Sequence, residues 1–429
     1  MGSASERSIL VNEALVGLWV QERAGSVGGI GKLFSPRGTE GLRGKEGLAS
    51  GKLRGLSCEF ELATFGSAKA VSLDRALIQF LVGGTDLVKD LFQEFECRWD
   101  LSLGKGGAGD FVLLWQEEWM DIAILGAGIS GLVCARAISA KGHRVVVLEK
   151  SRSLGGRCSS RKFWEHVVDT GVQYFTLRDP GVRGEVEKLV GEQLRKIEAP
   201  ILVGGEIYRK GEERFYLAKG NNRIGSLLAD GVEVRKEIEV KEVLAVGKKW
   251  RVEGELYDGV VSSAPWPQSA ALLGFDVHKV VYEPNLTVLL EYSFPWSGEV
   301  YAWMGSEGED PLAWVACENA KAGRIQAGRS VYVIQASPTY SRENLEKKPE
   351  SWVQDLCEKA EVRWGLDPAQ RGATLGHRWR YARRRGEPTG VPTMKDGIFL
   401  CGDSESDSRF ESVWKSGAKI AQDVLDALG

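Results

Sequence analysis

Three glycines and one acid carry the first readable chemistry. In "DIAILGAGISG" Gly126, Gly128 and Gly131 are spaced as GxGxxG. Gly126 permits a tight turn, Gly128 lets backbone approach a pyrophosphate, and Gly131 lets a helix pack on a strand. Ser130 falls in the first turn of that helix, where free N–H groups and a partial positive charge favour phosphate. Glu149 follows roughly 20 residues on, where a carboxylate accepts ribose hydroxyls and disfavours a 2′-phosphate. Lys150 adjoins it. "RSLGGRCSSR" then sets Gly155 and Gly156 before Arg157. A glycine pair there lets the chain pass close to a second phosphate or a ribityl chain, and Arg157 adds charge-assisted bonds. A domain that binds only NAD does not need this extra clamp, so a larger dinucleotide is expected.

Elements must hold these residues. "IAIL" reads as a short buried parallel strand. "ISGLVCARAISAKG" reads as a helix stopping at Gly142. "HRVVVLEK" is a second strand delivering Glu149 to its end. Near the C-terminus "GIFLCGD" reads as a buried strand ending at Gly402 and Asp403, with Asp403 able to hold the ribityl or pyrophosphate end of a dinucleotide. "ESVWKSGAKIAQDVLDAL" follows as a helix containing Glu411, Val413 and Trp414, and core packing is an equal reading for Trp414. "HRWRYARRRG" is dense in base and ring. On a strand His377, Trp379 and Tyr381 share a face, so these are candidate catalytic or substrate-positioning residues. A purely structural role for His377 is as open as a chemical one, and Arg383–Arg385 read first as a solvated charge run.

The bulk numbers exclude several classes. The chain has 429 residues with 43% hydrophobic and 27% charged content, fitting a globular protein of more than one domain. A formal net charge of -3 gives no basic field for nucleic acid. No apolar run reaches the roughly 20 residues of a membrane span, so no membrane partner is expected. The seven cysteines form no CxxC pair and the four histidines no HExxH pattern, so neither a disulfide framework nor a metal site is expected. A reducing, cytoplasmic setting is the default.

Residues 1–119 are Gly-rich and carry no motif. In the stretch 25–57 glycine recurs so often that neither helix nor strand should persist, while 74–96 is the best helical segment. A disordered extension is expected. Gln116–Trp119 can also be encoded with AGGAGG just before an ATG for Met120, which would make 1–119 a leader ahead of a start at Met120.

From Met120 onward the chain resembles the renalase-type NAD(P)/FAD oxidoreductases of the FAD-dependent amine oxidase superfamily. The resemblance rests on "GAGISGL", "SRSLGGRCSSR", "DTGVQYFTLRDP" (169–180), "AKGNNRIGSLLADGVEV" (218–234), "VVSSAPWPQSAALL" (260–273), "WVACENAKAGR" (314–324), "HRWRYA" (377–382) and the closing "GIFLCGDSESDSRFESVWKSGAKIA". Asn221 stands where the family has Met. The resemblance implies non-covalent FAD, a backbone clamp on adenine at Val240, and Gln173, Tyr174 and Phe175 brought to the flavin. It also implies a C-terminal helix whose first turn faces the flavin pyrimidine and a substrate site bordered by 377–382. It implies oxidation of a dihydronicotinamide, NAD(P)H or an isomer, with O2 reduced to H2O2. A flavin amine oxidase or desaturase acting on another small molecule, and a non-catalytic flavin-binding protein, stay open. The expected architecture is α/β. A doubly wound FAD domain comes from 120–176, 218–272 and 385–429, and an antiparallel-sheet substrate domain from 177–217 and 273–384.

Overall fold

The computed structural model describes residues 119–276, 280–305, 310–386 and 394–428, together with the backbones of seven strands within 1–118. The chain divides into two compact units, Met1–Trp119 and Met120–Leu428. In the first, Gly29–Phe34 pairs antiparallel with Gly17–Glu22, and Leu48–Lys52 pairs antiparallel with Glu59–Ala63. This corrects the expectation that no strand persists in 25–57. Glycine raises the entropy cost of ordering the chain but does not forbid extended backbone that a partner strand satisfies. The helix expected in 74–96 and the disorder expected of the extension lie outside the described residues.

The second unit is built on two sheets. A six-stranded sheet runs in the order Glu233–Lys236, Arg144–Glu149, Asp121–Leu125, Gly259–Ser262, Ile398–Leu400, Met394–Lys395. Its pairings are parallel except the last. The central strand Asp121–Leu125 is apolar on both sides because both its faces are covered. Ile122 and Ile124 pack with helices Ile129–Ala140 and Phe410–Leu428. Ala123 and Leu125 pack with Val252 and Tyr257 of a three-stranded meander. This is the Rossmann-type arrangement expected from the sequence.

A seven-stranded sheet runs in the order Glu206–Ile207, Ile201–Val203, Ala302–Met304, Leu312–Cys317, Ser330–Ala336, Tyr282–Tyr292, Arg371–Arg384. It is antiparallel except between Ile201–Val203 and Ala302–Met304. Helix Pro349–Trp364 covers it through Trp352, Leu356 and Ala360. Segment 177–217 is shared. Helix Pro180–Val190 packs Val182, Val186 and Val190 into the first sheet's core, whereas Ile201–Val203 and Glu206–Ile207 join the second sheet.

A buried quartet of charges ties the hairpin Ser160–Asp169 to the second sheet. Asp169, Glu318, Lys321 and Arg324 have side chains at most 1% exposed. Lys321 Nζ donates to Asp169 Oδ2 at 2.8 Å and to Glu318 Oε1 at 2.5 Å. Arg324 reaches Asp169 Oδ2 at 3.0 Å and Glu318 Oε2 at 3.1 Å, and also donates to the Leu217 carbonyl at 2.7 Å. Burial opposes ionisation of Asp169, but the charges of Lys321 and Arg324 outweigh it and hold the carboxyl below its usual range. Burial raises Glu318. Two anions against two cations leave no net charge, the condition under which such a group is tolerated in a core.

Removing one member leaves an uncompensated buried charge. Lys321→Met is expected to destabilise the chain by about 3–5 kcal/mol, read from urea or thermal unfolding. The double change Lys321→Met with Glu318→Gln, which restores neutrality, should recover part of that loss. A single change costing less than about 1 kcal/mol, the ordinary value for exposed pairs, would contradict the network.

Candidate dinucleotide-binding and active site

The glycine loop joins the first strand to helix Ile129–Ala140, and its three glycines do three different things. Gly126 has φ +101°, which L residues with a Cβ rarely adopt. At Gly131 a Cβ would overlap the Gly126 carbonyl and Ser263, so only glycine lets this helix sit so close. At Gly128 a Cβ would meet nothing within 4 Å. Gly128 borders a cavity of about 1000 Å³, so a side chain there would enter the space rather than clash. No side chain caps the helix that starts beside it, which leaves its N-terminus available to an anion.

Glu149 closes the loop. Its Oε2 accepts from Ala127 N and its Oε1 from Ser151 N, both at 2.7 Å. The carboxylate therefore braces the turn as well as bordering the cavity. Ser130, Lys150, Gly156, Val240 and Val413 border it too, and Gly155 N donates to Ala127 O at 2.8 Å. The cavity is larger than one mononucleotide needs and runs from Glu149 and Val240 past Arg157 to Phe410 and the strand residues 377–382. These residues fit a dinucleotide.

Arg157 and Asp403, expected to contact the cofactor separately, are an ion pair. Asp403 is 2% exposed. Ser408 Oγ donates to its Oδ2 at 2.7 Å and Tyr282 to its Oδ1 at 2.8 Å. Burial opposes ionisation of Asp403, but the Arg157 bond and charge, aided by Ser408 and Tyr282, hold its carboxyl below its usual range. Burial beside that carboxylate raises the Tyr282 phenol. Arg157 borders the cavity and Asp403 stands behind it as its anchor. Gly402, with φ +98°, turns the chain beneath Ser130.

Strand Arg371–Arg384 crosses the cavity. His377 pairs with Thr287 and Trp379 with Asn285, after which the register shifts before Arg383 pairs with Glu283. This register shift marks a bulge at Arg380–Ala382, and all of 377–382 borders the cavity. Trp379 Nε1 donates to the Thr170 carbonyl at 3.0 Å, and the His377 ring stands edge-on to Trp379 at 4.4 Å. Burial and the Arg161 charge lower the His377 pKa to about 4.

Several of the expected site residues do not line the cavity. Gln173 turns its amide to the Asp169 and Gly171 carbonyls, and Tyr174 packs beside Trp314 and Tyr301. Phe175 stacks on Phe410 at 4.6 Å inside the core. None of the three borders the cavity, although the neighbouring Val172 does. Glu411 is occupied by Arg178 N and Asp179 N at 2.6 and 2.7 Å. Trp414 is core, with its indole N–H on Glu185 at 2.6 Å. Asn221, the residue that departs from the family pattern, is fully buried and holds Leu217 N and Val172 O. Sequence reasoning passed over Tyr282, Ser408 and Arg161. A Tyr on an apolar strand and a Ser in an acidic loop carry no signal of their own.

Residues 124–190 match an NAD(P)-binding Rossmann-like domain. A 4,4'-diapophytoene desaturase from Staphylococcus haemolyticus is 49% identical over 52 residues, 12% of this chain and 10% of that protein. The chain spans no more than 60% of the length of the first curated relatives it matches. A solved structure from Exiguobacterium, assigned as a protoporphyrinogen oxidase, superposes with a TM-score of 0.60 at 13% identity, covering 71% of this chain and 98% of that one. Cyclohexylamine oxidase from Brevibacterium oxydans gives 0.55 at 12% identity, covering 72% and 99%. At such identities the likeness is one of fold. Among the described residues no helix is long and apolar enough to cross a membrane, and no cluster of His, Cys, Asp and Glu is placed to hold a metal ion.

Gly128→Val should abolish dinucleotide binding while leaving the unfolding transition near that of the unaltered chain, since its Cβ has room but fills the cradle. Retention of full binding, measured by calorimetry, would refute the placement. For His377 the folded pKa lies below the ordinary unfolded value of roughly 6.5. The unfolded state therefore binds more protons between about 6.5 and about 4. Stability from this group is complete above 6.5 and falls as pH drops through that window. The His377→Gln chain should lose less stability there. Equal losses in both chains would show that His377 titrates normally.

Proposed function

We propose that this chain is an FAD-dependent oxidoreductase that oxidises a dihydronicotinamide, NAD(P)H or an isomer of it. The observation that carries the reading is that one cavity joins the glycine loop to the aromatic strand 377–382. The loop end takes the dinucleotide: Gly128 admits the pyrophosphate, Glu149 meets ribose hydroxyls, Val240 borders the adenine, and Arg157, anchored by Asp403, reaches the second half. FAD, held without a covalent bond, would supply the redox chemistry, accepting a hydride and passing the electrons to O2 to give H2O2.

The residues of the strand orient a flat donor and exclude water. Trp379 and Tyr381 offer ring surface, and Trp379 is fixed in place by its bond to Thr170. A base is not required, because the nitrogen lone pair of a dihydronicotinamide drives the hydride out. The titratable groups bordering the cavity suit that. His377 is a weak base with a pKa of about 4, Cys158 is pushed up to about 12 by burial, and the Glu149 oxygens already accept backbone N–H groups. The likeness in fold to cyclohexylamine oxidase keeps an amine as the second substrate class. The five described cysteines are buried free thiols, in keeping with work in a reducing, cytoplasmic setting.

Anaerobic mixing of the flavin-loaded chain with borohydride-reduced NAD, pure 1,4-NADH and a set of amines tests this. Rapid bleaching by a dihydronicotinamide, reversed by air with formation of peroxide, is the expected result. Bleaching by amines alone would move the substrate class, and no bleaching by any reductant would leave a flavin-binding protein without turnover.

A further inference from the structure

The cavity is lined with cations whose charge is mostly accounted for. Arg157 is paired with Asp403, Arg152 with Glu237, Lys241 with Glu239 and Arg380 with Glu346. Arg378 is turned to the Lys347 carbonyl at 2.9 Å. Lys150 stands at the nucleotide end, next to Glu149. Arg161, like Lys150 and Arg378, has no carboxylate within ion-pair distance among the described residues, but it lies on the aromatic strand's side, with its Nη2 3.0 Å from His377 Nδ1.

That contact fixes both groups. An arginine has no acceptor and stays protonated. His377 Nδ1 must therefore be the acceptor, so the ring is neutral and cannot offset the guanidinium charge. The ring is itself held edge-on against Trp379. Arg161 is an exposed residue of strand Ser160–Phe163 that borders the cavity beside His377, and among the described residues its other four N–H donors have no protein partner. A guanidinium held this way matches the paired oxygens of a carboxylate or phosphate.

We propose that Arg161, positioned by His377, is the anion-binding subsite of the substrate cavity, so that the substrate is a flat ring compound bearing a carboxylate or phosphate. This rests on the oxidoreductase reading above and narrows it: a neutral or purely cationic amine and an apolar polyene would leave Arg161 unmatched. Arg161 and His377 are specificity and positioning residues, and neither moves a proton in the reaction.

The test uses the flavin-loaded full chain and two isosteric probes, benzoate and benzamide, followed by calorimetry and by the change in flavin absorbance. Benzoate should bind at least about tenfold more tightly than benzamide, the effect of one charge-assisted bond. Arg161→Gln should erase the preference, and Arg161→Lys should keep part of it with flavin content unaltered. Equal affinity for the two probes, or a preference that survives Arg161→Gln in a chain that still holds flavin, overturns the proposal. Dihydronicotinamide riboside and its 5′-phosphate separate this from the broader reading. If neither bleaches the flavin while benzoate is still preferred, the dihydronicotinamide reading falls and the subsite stands. If both bleach it equally well and benzoate is not preferred, the reading stands and the subsite falls.

Discussion

The buried quartet of Asp169, Glu318, Lys321 and Arg324 is the constraint from which the geometry of the cavity follows. Asp169, the last residue of the hairpin, is its anchor on that side. The next three residues carry the consequences. Thr170 N donates to Ser159 O and Val172 N to Arg157 O, both at 2.9 Å, which fixes the backbone of the glycine-pair clamp. The Thr170 carbonyl receives Trp379 Nε1, and the Gly171 carbonyl receives Gln335 Nε2 at 3.0 Å from the second sheet. A Cβ at Gly171 would overlap the Arg157 carbonyl, so the approach is as close as backbone allows. One short segment thus sets both the cofactor clamp and the aromatic strand.

A charge cluster is an unusual choice for that task. Burying four ions carries a desolvation cost that mutual attraction repays only when every donor and acceptor is used. Here the surplus capacity is taken by Ser160 Oγ and Asn221 N on Asp169 and by the Val167, Ala218 and Leu217 carbonyls on Arg324. An apolar plug of the same volume would pack, but it would not define which loop meets which. The directional bonds do, and those from Lys321 and Arg324 to Asp169, Val167, Leu217 and Ala218 join residues more than 100 positions apart in sequence. The cluster is better understood as a device for register between loops than as a source of net stability.

The nucleotide end was legible in the sequence because it is local. Gly126, Gly128, Gly131 and Glu149 lie on one strand–helix–strand unit, and each acts through a property its residue type announces: positive φ, lack of a Cβ, or a carboxylate at a strand end. The surroundings of Gln173, Tyr174 and Glu411 were not legible for the opposite reason, and Trp414 takes the core place that was its equal reading. Their neighbours come from distant segments, and a tyrosine in a motif looks the same whether it faces a cavity or a core. "ENAKAGR" held a clue in the spacing of Glu318, Lys321 and Arg324. Only the fold shows that the fourth charge is Asp169. The strand irregularity at Arg380–Ala382 has no sequence mark either, since it depends on how strand Tyr282–Tyr292 runs beside it.

This division of labour has a consequence for how such a scaffold changes its chemistry. The dinucleotide end is built by the parallel sheet and braced by Glu149, while the other end is supplied by a long bent strand of the antiparallel sheet. The two meet where Arg157 Nη1 donates to the Ala382 carbonyl at 3.3 Å, Trp379 Nε1 to the Thr170 carbonyl at 3.0 Å and Tyr282 to Asp403 at 2.8 Å. Residues such as His377, Tyr381 and the facing Arg161 can therefore be exchanged at little cost to the glycine loop. That is the pattern to expect when folds superpose across most of two chains at 12–13% identity. The cofactor end constrains residue type at each glycine, whereas the substrate end constrains only that a strand be present and bent. On the proposed reading, charge matched at Arg161 rather than any feature of the Rossmann half would distinguish one substrate from another.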